Sequence, residues 1–204
     1  GHSAFTGKIG FDPRGDQYRS DLEDKGVKAA LGAGEGMTGS SLILVSNDGS
    51  RTMNTHLGMC QELEPNDIDE KVLSSTNILY LTGFLWDTES QKASVRHALE
   101  MAENLPVKVA LSLSDPFCVE RHHQDFNELI RSRVDLLFCN QEEAFTMMET
   151  QVTQEALAGL SENVETVVMT LGNRGSLICN QGQIYYIDPI EVEVVDTTGA
   201  GDAY

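Results

Sequence analysis

The stretch Val107–Leu113 constrains the fold more than any other part of this 204-residue chain. It is apolar almost without interruption, is preceded by Pro106 and is followed at once by Asp115-Pro116. A run this short, apolar on both sides, suits a strand in the middle of a parallel sheet, where helices cover both faces. Its surroundings agree. Thr88 and Gln91 have capping-box spacing, and Val95, Ala98, Leu99, Ala102 and Leu105 then recur at helical spacing until Pro106 ends the run. Downstream, Asp115 reads as an N-cap with Pro116 at the first helical position, and Phe126, Leu129 and Ile130 form the buried face of that helical stretch. With strands expected over residues 77–82, 135–139 and 166–170, and a short helix over 67–74, the alternation predicts an α/β chain with a mostly parallel sheet. Ligands in such sheets bind beyond the carboxyl ends of the strands.

The first third reads differently. Residues 4–9 predict a strand, and Pro13 opens a helix expected to run to Lys25 and stop at Gly26, with Asp12 as its N-cap. Gly34-Glu35-Gly36-Met37-Thr38-Gly39 fits G-x-G-x-x-G, but the β-rich run Ser41–Val45 follows where a dinucleotide site needs a helix. Asn47-Asp48-Gly49-Ser50 then turns the chain into Arg51–Thr55, which predicts a hairpin.

Composition removes several function classes. The chain carries 32 acidic against 14 basic residues, a formal net charge of −18, which argues against nucleic acid or an anionic membrane surface as a partner. Cys60, Cys118, Cys139 and Cys179 are far apart and form no C-x-x-C, so they read as reduced thiols of a cytoplasmic protein. No apolar run reaches membrane-spanning length. His122 and His123 are adjacent, diverge by about 100° on a helix, and read as polar residues rather than metal ligands.

The last residues carry the chemistry. In Asp196-Thr197-Thr198-Gly199-Ala200-Gly201-Asp202, small residues let backbone N–H groups converge on one concavity that suits an anion. A carboxylate beside an anion hole is what phosphoryl transfer to an alcohol needs: the N–H groups hold the charge of the moving group and the carboxylate accepts the hydroxyl proton. The plainer reading is a glycine turn with Asp202 in the first turn of a helix. Two other stretches lie at strand ends. Asn140-Gln141-Glu142-Glu143 places Asn140 and Glu143 on one face of a helix start, which is also a capping box. Thr170-Leu171-Gly172-Asn173-Arg174-Gly175 precedes a hairpin expected over residues 176–179 and 184–187 around Gln181-Gly182, so a β-turn competes with a ligand loop there.

Taken together, these motifs resemble those of the PfkB carbohydrate kinases, the ribokinase-like family. The C-terminal string is similar to the family's Asp-Thr-x-Gly-Ala-Gly-Asp signature, and Gly7-Lys8-Ile9-Gly10-Phe11-Asp12-Pro13-Arg14-Gly15 to its Gly-Lys-x-Gly-x-Asp-x-x-Gly segment. Residues 111–117 and 134–140 are most similar to the adenosine kinase branch. The resemblance implies a ribokinase-like three-layer αβα sandwich with a small β lid. It divides the chain into the start of the core at 4–26, a lid insertion at 27–58 and a core with the nucleotide and phosphoryl-transfer site at 59–204. Set beside the family, the chain is expected to be cut at both ends, because the sugar-binding Gly-Gly-x-x-x-Asn segment and the helix after Gly201 are missing.

The implied activity is ATP-dependent phosphorylation of a hydroxyl on a sugar or ribonucleoside, a small-molecule acceptor. The alternative is a nucleotide-binding module on the same fold without catalysis. By the same resemblance, Asp202 is the catalytic base, with Gly199, Ala200 and Gly201 as the anion hole. Thr170, Gly172, Gly175, Asn140, Asp196 and Thr198 contact ATP, and Glu143 acts on Mg²⁺ through water. Arg174 is a candidate phosphate contact, with a solvated arginine the plainer reading. A homodimer joined edge to edge through the lid is also expected, since a two-stranded unit is marginal alone.

Overall fold

A computed structural model of the chain describes residues 1–46, 51–192, 199–201 and 204. Two compact units emerge, one of Gly1–Thr76 with Leu85–Pro106, the other of Asn77–Phe84 with Val107–Tyr204.

The second unit is built on a six-stranded sheet. Strands β5 (Ile78–Thr82), β6 (Lys108–Ser112), β7 (Leu136–Asn140) and β8 (Thr166–Thr170) are parallel neighbours in sequence order, and β9 (Ser176–Asn180) and β10 (Gln183–Ile187) continue the sheet antiparallel. The register aligns Leu81, Leu111, Leu137, Val167 and Cys179 in one row across five strands. All five are buried, and Leu111, Leu137 and Val167 expose no surface. One apolar row shared by five strands locks the register, because a slip by one residue would turn the row to the other face. Among the described residues, the α-helices of this unit are α4 (Pro116–Arg121), α5 (His123–Ser132), α6 (Gln141–Met148) and α7 (Thr153–Ser161). Asp115 caps α4 through the amides of Phe117 and Cys118, with Pro116 at the start, as its sequence predicts. Helix α5 buries Phe126, Leu129 and Ile130, the expected face. His122 lies against the Phe126 ring at 6.0 Å while His123 Nε2 is 2.9 Å from the Met147 carbonyl, so the adjacent histidines take different partners.

The first unit begins as a βαβ unit. Strands β1 (Ser3–Gly10) and β2 (Val27–Gly34) pair in parallel over their full length, from Ser3 with Val27 to Gly10 with Gly34. Helix α1 (Pro13–Asp24) connects them and ends before Gly26, whose φ is +75°. The Gly34–Gly39 glycine run leads from β2 into β3 (Ser40–Val45) and opens no helix, as expected. Strand β3 pairs antiparallel with β4 (Arg51–His56), as predicted for this hairpin; its turn, residues 47–50, lies outside the described residues. Residues 27–58 therefore contain two pairings, one with β1 and one internal. The hairpin exposes Leu42, Leu44, Val45 and Met53, each by 60% or more. The helices α2 (Glu70–Leu73) and α3 (Glu89–Ala102) complete the unit, α3 opening on the capping box of Thr88 and Gln91. Gln91 also donates to the Cys60 carbonyl at 3.0 Å, and Ser90 to that of Leu63 at 2.7 Å, which ties α3 to the chain after the hairpin.

Asp12 is the N-cap of α1, and it does more than cap. Its carboxylate accepts from the amide of Gly15 (2.8 Å), the amide of Thr38 (2.8 Å) and the hydroxyl of Thr38 (2.7 Å). Those donors hold its carboxyl down at about 2, led by the Thr38 amide. Lys8 on β1 is buried, with its ammonium 2.7 Å from Glu64 and 3.0 Å from Asp67. Burial alone would lower its pKa; the two carboxylates more than offset this and hold it above its ordinary value.

Candidate active site

The carboxyl ends of β7 and β8 meet at Asn140 and Thr170, which are direct register partners. Two sequence motifs 30 residues apart thus start side by side at the end of a parallel sheet where α/β proteins take their ligands.

At the first, Asn140 is the N-cap of α6 and forms a full capping box with Glu143. The Glu143 amide donates to Asn140 Oδ1 at 2.8 Å; in return Glu143 accepts from the Asn140 amide at 2.9 Å and from its side-chain Nδ2 at 2.6 Å. The helix start therefore holds its carboxylate in a single orientation. Glu143 is only 4% exposed, and this burial raises its pKa against the opposing Asn140 amide, with the carboxylates of Asp115 and Glu142 raising it further. A buried carboxylate with other carboxylates as charged neighbours is a ligand that a cation would satisfy. Both of its oxygens already accept one hydrogen bond each, which leaves one lone pair on each for a metal or its hydration water.

At the second, Thr170 ends β8 and residues 171–175 fold back so that the Leu171 amide donates to the Gly175 carbonyl at 2.8 Å. The two glycines have different tasks. Gly172 has φ +62° with open space where a side chain would stand. Gly175 has φ +84°, and a Cβ there would collide with the Ile187 carbonyl of the following hairpin. The loop is thus pinned at Gly175 and open at Gly172. Arg174 is held: its carbonyl accepts from the Tyr186 hydroxyl at 2.5 Å, and its guanidinium donates to Gln141 Oε1 at 2.6 Å.

Asp196, Thr198 and Asp202 lie outside the described residues. Gly199, Ala200 and Gly201 form a turn, with Gly199 at φ +74°, and the Tyr204 amide reaches the Gly201 carbonyl at 3.4 Å. Tyr204 is hydrogen-bonded through its hydroxyl to Ser176, the buried residue that follows Gly175.

Two features escaped the sequence reading. Ser114, at the end of β6, has φ +72°, a conformation that costs a non-glycine residue about 1–2 kcal/mol. Its hydroxyl oxygen accepts from the Gly83 amide at 2.9 Å and lies 2.7 Å from the Thr82 hydroxyl, so it latches the ends of β5 and β6. A serine carries no signal of such a conformation. Gln141 is the other, and only its partners far along the chain, Thr153 and Arg174, distinguish it from an ordinary first-turn residue. In the first unit, a cleft of about 420 Å³ is lined by residues including Lys8, Gly34, Glu35, Met59 and Glu64, none of them predicted as site residues.

A mostly parallel sheet whose carboxyl edge carries the Asn140/Glu143 capping box beside the glycine loop of residues 171–175 fits the ribokinase-like α/β fold that the sequence implies. The chain belongs to that family: the model of the pfkB family carbohydrate kinases matches residues 1–204. The crystal structure of adenosine kinase from Sinorhizobium meliloti is 36% identical and superposes with a TM-score of 0.93, covering 99% of this chain and 63% of that one. A probable sugar kinase from Rhizobium etli CFN 42 is 35% identical at a TM-score of 0.94, covering 99% and 62%. Among curated relatives, a ribokinase from Staphylococcus aureus (strain COL) is 26% identical over 210 residues, covering 99% of this chain and 66% of its own. The chain thus spans about two thirds of the length of these relatives, and the ribokinase-like three-layer fold expected from the sequence is borne out.

Proposed function

We propose that this protein is an ATP-dependent phosphotransferase acting on a hydroxyl of a sugar or ribonucleoside, with an adenosine- or ribose-like acceptor favoured. The observation that carries this is the pairing of Asn140 with Thr170, which sets the Asn140/Glu143 box beside the Thr170–Gly175 loop at the sheet's carboxyl edge. The open face over Gly172 leaves room for a phosphate chain to approach the backbone. In this reading Thr170, Gly172 and Gly175, together with Asn140, Asp196 and Thr198, bind ATP. Gly199, Ala200 and Gly201 hold the charge of the moving phosphoryl group through their N–H groups, and Asp202 accepts the acceptor's proton. Mg²⁺ would neutralise charge between the phosphate oxygens. Glu143, buried and with the carboxylates of Asp115 and Glu142 as charged neighbours, is the residue suited to hold its hydration water.

The β3–β4 hairpin is assigned as a lid over the acceptor, and its exposed Leu42, Leu44, Val45 and Met53 favour covering by a ligand or by a second copy in a homodimer. Free cysteines, three of them buried, suit a cytoplasmic location.

The experiment is a coupled assay of ADP formation by the full-length protein across ribosides and hexoses, with and without Mg²⁺, beside calorimetric ATP binding. Acceptor-dependent turnover supports the kinase. ATP binding without turnover on any acceptor would select the second reading, a nucleotide-binding module that lacks catalysis. Failure to bind ATP would remove both.

A further inference from the structure

Gln141 lies next to Asn140 yet takes no part in the capping box. Its side-chain oxygen accepts from the Arg174 guanidinium at 2.6 Å, across 33 positions of sequence, and its Nε2 donates to the Thr153 hydroxyl at 2.6 Å. Thr153 is the first residue of α7. One amide therefore links the starts of α6 and α7 to the loop after β8. Because Asn140 and Thr170 are register partners, the link closes a small ring: β7 end, Gln141, Arg174, loop, β8 end.

The chemistry of the link is specific. An amide oxygen fixes a guanidinium without cancelling its charge, as a carboxylate would. The Gln141–Arg174 contact is thus a single neutral-to-charged hydrogen bond rather than an ion pair. On its other side the Arg174 carbonyl is gripped by Tyr186, while Gly172, two positions earlier, faces open space. The loop is held firmly at one shoulder and left bare at its tip. Holding a binding loop in one conformation before the ligand arrives removes part of the ordering cost that binding would otherwise carry.

We propose that Gln141 is a positioning residue for the nucleotide loop, acting through Arg174 to fix residues 171–175 in the shape that ATP needs. The inference rests on the ATP-binding reading given above, and it adds a residue that touches neither phosphate nor metal.

The test uses Gln141→Ala, Arg174→Ala and the double variant in the full-length protein. Amide hydrogen exchange across residues 171–175 is read without ligand, and ATP affinity and acceptor KM are read separately. Gln141→Ala is expected to speed exchange in the loop and weaken ATP by about 2- to 10-fold, the worth of one hydrogen bond, with acceptor KM unchanged. The double variant is expected to lose no more loop protection than the worse single one, since both remove the same link. Unchanged exchange in Gln141→Ala, additive losses of protection, or equal rises in ATP and acceptor KM would each overturn the proposal. If the parent protein binds no ATP while its loop still responds to Gln141→Ala, the link is mechanical only. Both the kinase reading and the positioning role then fall, by a result distinct from an unresponsive loop.

Discussion

Asp12 and Thr38 are bonded twice, the carboxylate accepting from both the amide and the hydroxyl of a residue 26 positions away. Thr38 Oγ1 also accepts from the Gly10 amide at 2.9 Å. The end of β1, the start of α1 and the approach to β3 are thereby fastened by one carboxylate.

That carboxylate sets a pH dependence. Its folded pKa is depressed to about 2, so the stability it contributes is complete above its unfolded value and is lost as pH falls through the folded one. Wild-type melting temperature should therefore decline on acidification from about pH 4 toward pH 2. Asp12→Asn should melt lower at neutral pH and show a shallower decline in that window. Parallel acid-denaturation curves for the two proteins would show that Asp12 is not the titrating group.

Glu143 works in the opposite sense. Burial raises its pKa, so the folded state favours the protonated form, and stability falls as pH rises from the unfolded value through the folded one. Glu143→Gln should flatten that fall and remain folded, losing about one hydrogen bond of the box, on the order of 1 kcal/mol. In activity assays it should raise the Mg²⁺ needed for half-maximal rate. Should the Mg²⁺ dependence stay the same while only the melting temperature drops, Glu143 is a cap and nothing more.

Gly172 and Gly175 should respond differently to alanine. Gly175→Ala meets both a positive φ and the Ile187 carbonyl, so it should destabilise the fold by about 2–4 kcal/mol, measured by urea unfolding. At Gly172 only the φ is unfavourable, and the cost should stay near 1 kcal/mol. ATP affinity should nevertheless fall in Gly172→Ala, because the methyl group occupies the open face. An unaltered ATP affinity there would place the phosphates elsewhere.

Asp202→Asn keeps size and hydrogen bonding but cannot take a proton. Transfer should drop by about 10²–10⁴-fold, with ATP still bound through the backbone N–H groups and Mg²⁺. Retention of near-normal transfer would remove Asp202 from the mechanism; loss of ATP binding as well would leave it a helix cap.

Local features and the mostly parallel sheet were legible in the sequence, and particular long-range contacts were not. The boxes of Thr88 with Gln91 and Asn140 with Glu143, and the Asp115-Pro116 helix start, each lie within one turn, where residue spacing alone fixes the geometry. The buried face of α3 was readable because 3.6-residue periodicity needs no partner. Pairing of β2 with β1 was not readable: Val27–Gly34 is mostly half-buried and small, and carries no alternation to say what it pairs with. The Lys8 pair with Glu64 and Asp67, and the Gln141 link to Arg174, join residues 33 to 59 positions apart that only the folded chain brings together.

The sequential order of β5 to β8 bears on how the second unit is made. Residue 78 pairs with 108, 110 with 136 and 136 with 166, so each strand docks on the one synthesised just before it. No strand in that series waits for a distant partner, and every closure spans a loop of similar, modest length. A ribosome would release this sheet one βα step at a time. Asn140 would be in place, its helix already capped, before the chain bearing Thr170 emerged to find it.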